Sequence, residues 1–392
     1  MTILKTITQS DFEKLNIVDQ AQYALATLGL QTNRFYSAAA LIIMNEMHRC
    51  KDTPAYFLLH GDVGDGKSFF ANAVSQLATM SKGKPGVMLG YVCHPDTTKD
   101  HLKSDSHDTT ISFLKGYNPK GGLLSDEEKL SQLQRELDLK DAYIGILPNQ
   151  SGYTSPFNHS GPLLQICRFT NLPETILGTI VLSIDEFDKI QEADDVYSLF
   201  MKAYDQNTIR LPGSSTRLRF TDERCGIFML GTQKQWPNPD LTRRFSVVLG
   251  MQSMDSDVEI AIHRKQLSRP AINIPKNWGA IDMNTPIDPC LLEFLYREIL
   301  DPIRSDEKLR EAYPIYPVPF DATKSLLRQL NWLACEAPDL VEDWLLHRMA
   351  LTVKARDAVR EKLGLGTLEK LNQHCHQIQG RPTSPGSVAA VQ

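Results

Sequence analysis

Apolar side chains between residues 17 and 50 recur with helical spacing: Ala21, Ala24, Leu25 and Leu28, then Ala38, Leu41 and Ile42 beside Asn45. The pattern then changes period. Tyr56 to His60 is a short apolar run that enters a glycine-rich loop at Gly61, and helical spacing resumes from Phe69 to Ala78. This predicts strand, loop, helix. Val87 to Cys93, Thr179 to Ile184 and Gly226 to Leu230 read as further buried strands, with helical stretches between them. Strands alternating with helices predict an α/β domain whose parallel sheet is covered on both faces. Beyond about residue 255 the pattern is helical: Val258 to Leu267, Leu291 to Leu300, Ala322 to Cys335 and Leu340 to Leu363. A polar stretch over 95–150 reads as an insertion. Within it Ser125 and Glu128 match a capping box ahead of Leu130, Leu133 and Leu137.

Composition sharpens this without redirecting it. With 392 residues, 42% hydrophobic and 23% charged, the chain can bury a large core and a smaller second one. A net charge of -5 supplies no global basic field, so phosphate-backbone binding is not the default, although a local basic groove stays open. The seven cysteines are scattered without a CxxC pair, which points away from a disulfide framework or zinc ribbon and toward a reducing, cytoplasmic setting. The start, Met1 to Ser10, has no leader pattern, and no apolar run approaches membrane-spanning length.

The chemistry concentrates in Gly61-Asp62-Val63-Gly64-Asp65-Gly66-Lys67-Ser68, which satisfies GxxxxGK[ST] between a predicted strand and a predicted helix. Glycines let such a loop curl its amides toward phosphate oxygens, and the helix that follows adds the positive end of its dipole. Asp62, Val63, Gly64, Asp65, Gly66, Lys67, Ser68 and Phe69 are therefore the expected nucleotide-binding residues. Lys67 would reach the β and γ phosphates, and the Ser68 hydroxyl would join Asp185 in coordinating Mg²⁺. Asp62 and Asp65 are unfavourable neighbours for a triphosphate, so both carboxylates are expected to face away from it.

The third predicted strand runs into Asp185-Glu186. Asp185 would orient the metal and Glu186 would activate water as a general base, an ATPase pattern more than a kinase or small-GTPase one. No guanine-reading motif follows. The next strand leads into Gly231-Thr232-Gln233, which places an amide, Gln233, where a central strand would finish beside the γ-phosphate. Further on, Arg243-Arg244-Phe245 puts two guanidiniums ahead of the apolar Val247 to Leu249. An arginine there suits stabilisation of transition-state charge from a neighbouring subunit, and it also suits an ion-paired surface arginine.

P-loop, acidic strand end, polar strand end and arginine pair, in this order and ahead of a helical domain, resemble the AAA+ ATPases over roughly residues 17–270. The second ATPase module of the Clp/Hsp100 disaggregases and the torsins is the more specific likeness. Ile17-Val18-Asp19-Gln20 resembles the box before that family's first helix, Ser198 to Asp205 its helix after the acidic strand, and Thr208 to Phe220 its hairpin. The resemblance implies a three-layer αβα P-loop domain over 17–254 with the 95–150 insertion, after an N-terminal segment 1–16. A helical lid would follow over 255–372, then a disordered tail over 373–392. It implies ATP and Mg²⁺ as cofactors, assembly into a homo-oligomeric ring, a hexamer, and the roles of Glu186, Gln233 and Arg244 in catalysis. It also implies that Tyr153, in Ser151-Gly152-Tyr153-Thr154, is an aromatic pore-loop residue gripping a protein substrate. Gly116-Tyr117 is the rival position.

The likeness has departures. The span from Lys67 to Asp185 is long, Gln233 stands where asparagine is commoner, and Arg348 and Arg356 match no lid motif. No peptidase-docking tripeptide is found. His374-Cys375-His376 is a poor metal site because adjacent ligands rarely close a tetrahedron, and Cys93-His94 reads as structural. Two other functions share every ATPase residue: a motor or regulator acting on nucleic acid, and a switch in which nucleotide drives assembly alone.

Overall fold

The computed structural model describes residues 7–48, most of 55–77, 87–92, 143–145, 179–185, most of 201–210, 217–219, 225–232, 243–252, scattered positions from 272 to 283, and 288–379 apart from Pro317. The chain divides into two compact units, Met1–Ile281 and Asp282–Gln392.

In the first unit, α1 (Gln9–Phe12), α2 (Ile17–Thr27) and α3 (Arg34–His48) precede the sheet. Asn16 caps α2 by accepting from the Asp19 amide at 2.8 Å, a contact of the kind that contributes about 1 kcal/mol. Asp19 also pairs with Arg34 at 2.9 Å, which ties α2 to α3. Gly29, with φ of 90°, turns the chain between them. Among the described residues six strands form one sheet: β1 (Ala55–His60), β2 (Val87–Val92), β3 (Tyr143–Gly145), β4 (Thr179–Asp185), β7 (Cys225–Thr232) and β8 (Phe245–Gly250), in the order β3-β2-β4-β7-β1-β8. All pairings in it are parallel. Between β4 and β7 in sequence, β5 (Thr208–Arg210) and β6 (Arg217–Arg219) pair antiparallel, the geometry expected for the hairpin there.

β1 is buried along nearly its whole length, from Ala55 to Leu59, as a strand covered on both faces must be. α3 packs against β1 and β7. β3 lies within the 95–150 stretch, and its three residues pair with Met88 to Gly90 of β2. A strand this short carries no readable period. The rest of that stretch lies outside the described residues.

The second unit is helical: α4 (Pro289–Phe294), a π-helical turn (Leu295–Leu300), α5 (Asp301–Ser305), α6 (Glu307–Ala312), α7 (Phe320–Glu336), α8 (Val341–Met349), α9 (Val353–Leu363) and α10 (Leu365–Gln379). Its core is Leu295, Leu326, Leu330, Leu333, Trp344 and Leu371, all buried. The stretch Leu340 to Leu363, expected as continuous helix, is broken. Ala350 bridges to Ile315, and Thr352 caps α9 through its hydroxyl at 3.2 Å from the Ala355 amide. α10 also runs to Gln379, several residues into the expected tail, because Leu371 and Cys375 bury one of its faces. Cys375 is fully buried, and desolvation pushes its thiol up to about 12.

The first unit extends past the expected boundary at residue 254. Gln9 and Asn273 exchange hydrogen bonds, Trp278 donates to Gln20 at 2.8 Å, and Asn45 bonds the Gly279 carbonyl and the Ile281 amide. These contacts join 272–281 to the N-terminal helices. Val258 to Leu267 lies outside the described residues.

Candidate nucleotide site

Because the sheet is parallel, β1, β7 and β4 all point their carboxyl ends to one edge, where ligands of open α/β sheets bind. β7 lies between the other two, and His60 stands level with Thr232. Asp185 closes β4 two strands away from β1, about 10 Å across the sheet. The strand ends leading to the P-loop, to Gln233 and to Glu186 are thus assembled side by side. Glu186, Gln233, Val63, Ser68 and Tyr153 themselves lie outside the described residues, as do Cys93 and His94.

The loop after β1 adopts the backbone its glycines allow. Gly64 has φ of 92° and Gly66 φ of 77°, left-handed conformations that a Cβ would strain. Lys67 opens the following helix and is only 6% exposed. Its ammonium donates to the carbonyls of Gly61 and Asp62, each at 2.8 Å. Asp65 turns its carboxylate back onto the loop, where Oδ2 accepts from the Asp62 amide at 2.7 Å. Asp62 is exposed, and so is Phe69, at 51%.

Tyr36 on α3 fixes this edge. Its hydroxyl donates to the Gly250 carbonyl at the end of β8 at 2.8 Å, and its ring meets Phe70 edge-on at 6.1 Å. Phe70 is buried and lies on the helix that Lys67 begins. One side chain therefore braces both β8 and the P-loop helix. Helical spacing on α3 marks Tyr36 as core but carries no sign of this tether.

Arg244 occupies the opposite edge. It immediately precedes β8, whose first residue, Phe245, pairs with Tyr56 near the start of β1. The strand between this edge and the P-loop edge spans about 15–20 Å. Arg244 is 7% exposed and forks onto Asp205: Nε to Oδ1 at 3.2 Å, Nη2 to Oδ1 at 3.0 Å and Nη2 to Oδ2 at 2.7 Å. Its guanidinium lies 5.8 Å from the ring of Tyr204, which packs on Tyr56 at 5.7 Å. Arg243 beside it is exposed.

In the second unit Arg348 and Arg356 are both buried, and Arg356 donates to the Leu351 carbonyl at 3.2 Å. His374 packs against Phe294 at 4.9 Å, a structural contact. Among the described residues no group of three potential metal ligands converges, and no helix is long and apolar enough to cross a membrane.

No known protein-family model matches the chain, and no curated protein matches it.

Proposed function

We propose that the chain is a cytoplasmic AAA+ ATPase of three-layer αβα architecture with a helical lid, which binds Mg·ATP between copies of itself in a hexameric ring and remodels protein substrates. One observation carries the nucleotide-binding part: the buried Lys67 ammonium, held by two carbonyls at the mouth of a loop with two left-handed glycines, on the carboxyl edge of a parallel sheet. Carbonyl dipoles compensate a buried cation only in part, and an anion is the partner that completes it. Backbone amides and a helix start at the same place favour phosphate.

Within this reading the residues divide the work by chemistry. Lys67 and the loop amides bind the phosphates, and Glu186 takes a proton from the attacking water. Gln233, at the end of the central strand, meets the γ-phosphate, and Arg244 answers charge from the adjacent copy. Ser68 and Asp185 offer the hard oxygen donors that Mg²⁺ prefers, and the metal would neutralise phosphate charge there. Tyr153 grips an extended polypeptide in the ring's pore, where a tyrosine gives contact area at small entropic cost.

Glu186→Gln tests the assignment. The variant should bind ATP as wild type does and hydrolyse it about a hundredfold or more slowly, read by phosphate release beside nucleotide binding. Wild-type turnover in that variant would remove Glu186 from the reaction.

A further inference from the structure

We propose that Asp205 is the positioning residue of Arg244: within one copy its carboxylate holds the guanidinium that the γ-phosphate of ATP on a second copy takes over on assembly. This rests on the trans role of Arg244 in the proposed function.

Position makes the first argument. Arg244 lies at the amino edge of the sheet, a strand's length from its own P-loop, so it cannot serve the nucleotide of its own copy. Chemistry makes the second. Arg244 is 7% exposed and its partner carboxylate 54%, so the pair opens to the surface on the Asp205 side, where another copy can approach. The fork is bidentate, with contacts of 2.7 to 3.2 Å. Carboxylate and phosphate accept that fork in the same way, so one can replace the other without any change in the donor.

The bracket is also connected to the site. Tyr204, beneath the guanidinium, packs on Tyr56 of β1, and β1 runs directly into the P-loop. While Asp205 holds the guanidinium, that copy is not competent to complete a neighbour's site, and apparent assembly weakens by the fraction so held. Asp205 therefore keeps Arg244 oriented and charge-compensated in the lone subunit, and sets how much protein is needed before turnover begins.

The test is ATP turnover per subunit against protein concentration at saturating Mg·ATP, with the full-length chain and a thermal melt of each variant. Asp205→Asn should lower the concentration giving half-maximal turnover about threefold to tenfold. Asp205→Glu should stay within about twofold of wild type, as a retained carboxylate requires. Tyr204→Leu, which keeps Asp205 but removes the ring, should lower that concentration by a smaller factor, about twofold. A half-maximal concentration that is unchanged or raised in Asp205→Asn overturns the proposal, whatever the melt shows, because a purely structural pair predicts lost stability without easier assembly. If Asp205→Asn does not fold, Asp205→Ser decides by the same criterion. Wild-type turnover independent of protein concentration would defeat the trans role itself and this proposal with it, whereas concentration dependence without a shift in the variants defeats this proposal alone.

Discussion

The two edges of the sheet each bury a cation, and they treat it differently. At the carboxyl edge Lys67 is met by two neutral carbonyls, while at the amino edge Arg244 is met by a carboxylate fork and an aromatic ring. Among the described residues Lys67 is held by dipoles, and a charge so held keeps a strong affinity for an added anion, whereas one already paired must give up a partner first. The same sheet thus holds one cation on backbone carbonyls and one in an ion pair.

Lys67→Ala breaks the first half of this comparison and should have the largest effect. ATP affinity and turnover should each fall about a hundredfold or more, read by nucleotide titration and phosphate release, while the melting temperature holds or rises because a buried charge has gone. The second half sharpens when the partners of the fork are removed one at a time. Asp205→Ala takes the carboxylate from a buried guanidinium and should cost about 1–3 kcal/mol in denaturant unfolding, whereas Arg244→Met leaves a half-exposed carboxylate in water and should cost about 1 kcal/mol or less. Equal costs would mean that exposure does not govern the pair. The smallest effect belongs to Tyr36→Phe, which keeps the ring against Phe70 and loses the bond to Gly250, about 1 kcal/mol by the same unfolding measurement.

The central strands were legible because burial on both faces writes continuous apolar runs. Tyr56 to His60 became β1, Thr179 to Ile184 became β4, and Gly226 to Leu230 became the middle of β7. The turn after β1 was legible for a similar local reason, since its glycines answer a backbone demand that Gly64 and Gly66 meet with positive φ. β3 was not, because three residues at a sheet edge owe their pairing to β2 and not to their own pattern. The break at Ala350 to Thr352 was hidden by apolar residues on both sides, and it is set by the bridge to Ile315, far away in sequence. The Asp65 carboxylate accepts from the Asp62 amide, a partner that spacing alone does not announce.

Local order in the chain settled which segments become strand, loop or helix and where a glycine-rich turn forms, because period, glycine placement and capping act over a few residues. Tertiary structure alone decided that β7 lies between β1 and β4, that Tyr36 braces the P-loop helix and that Asp205 faces Arg244. Those contacts join residues tens to hundreds of positions apart, and the chain fixes them only through the packing that buries both partners at once.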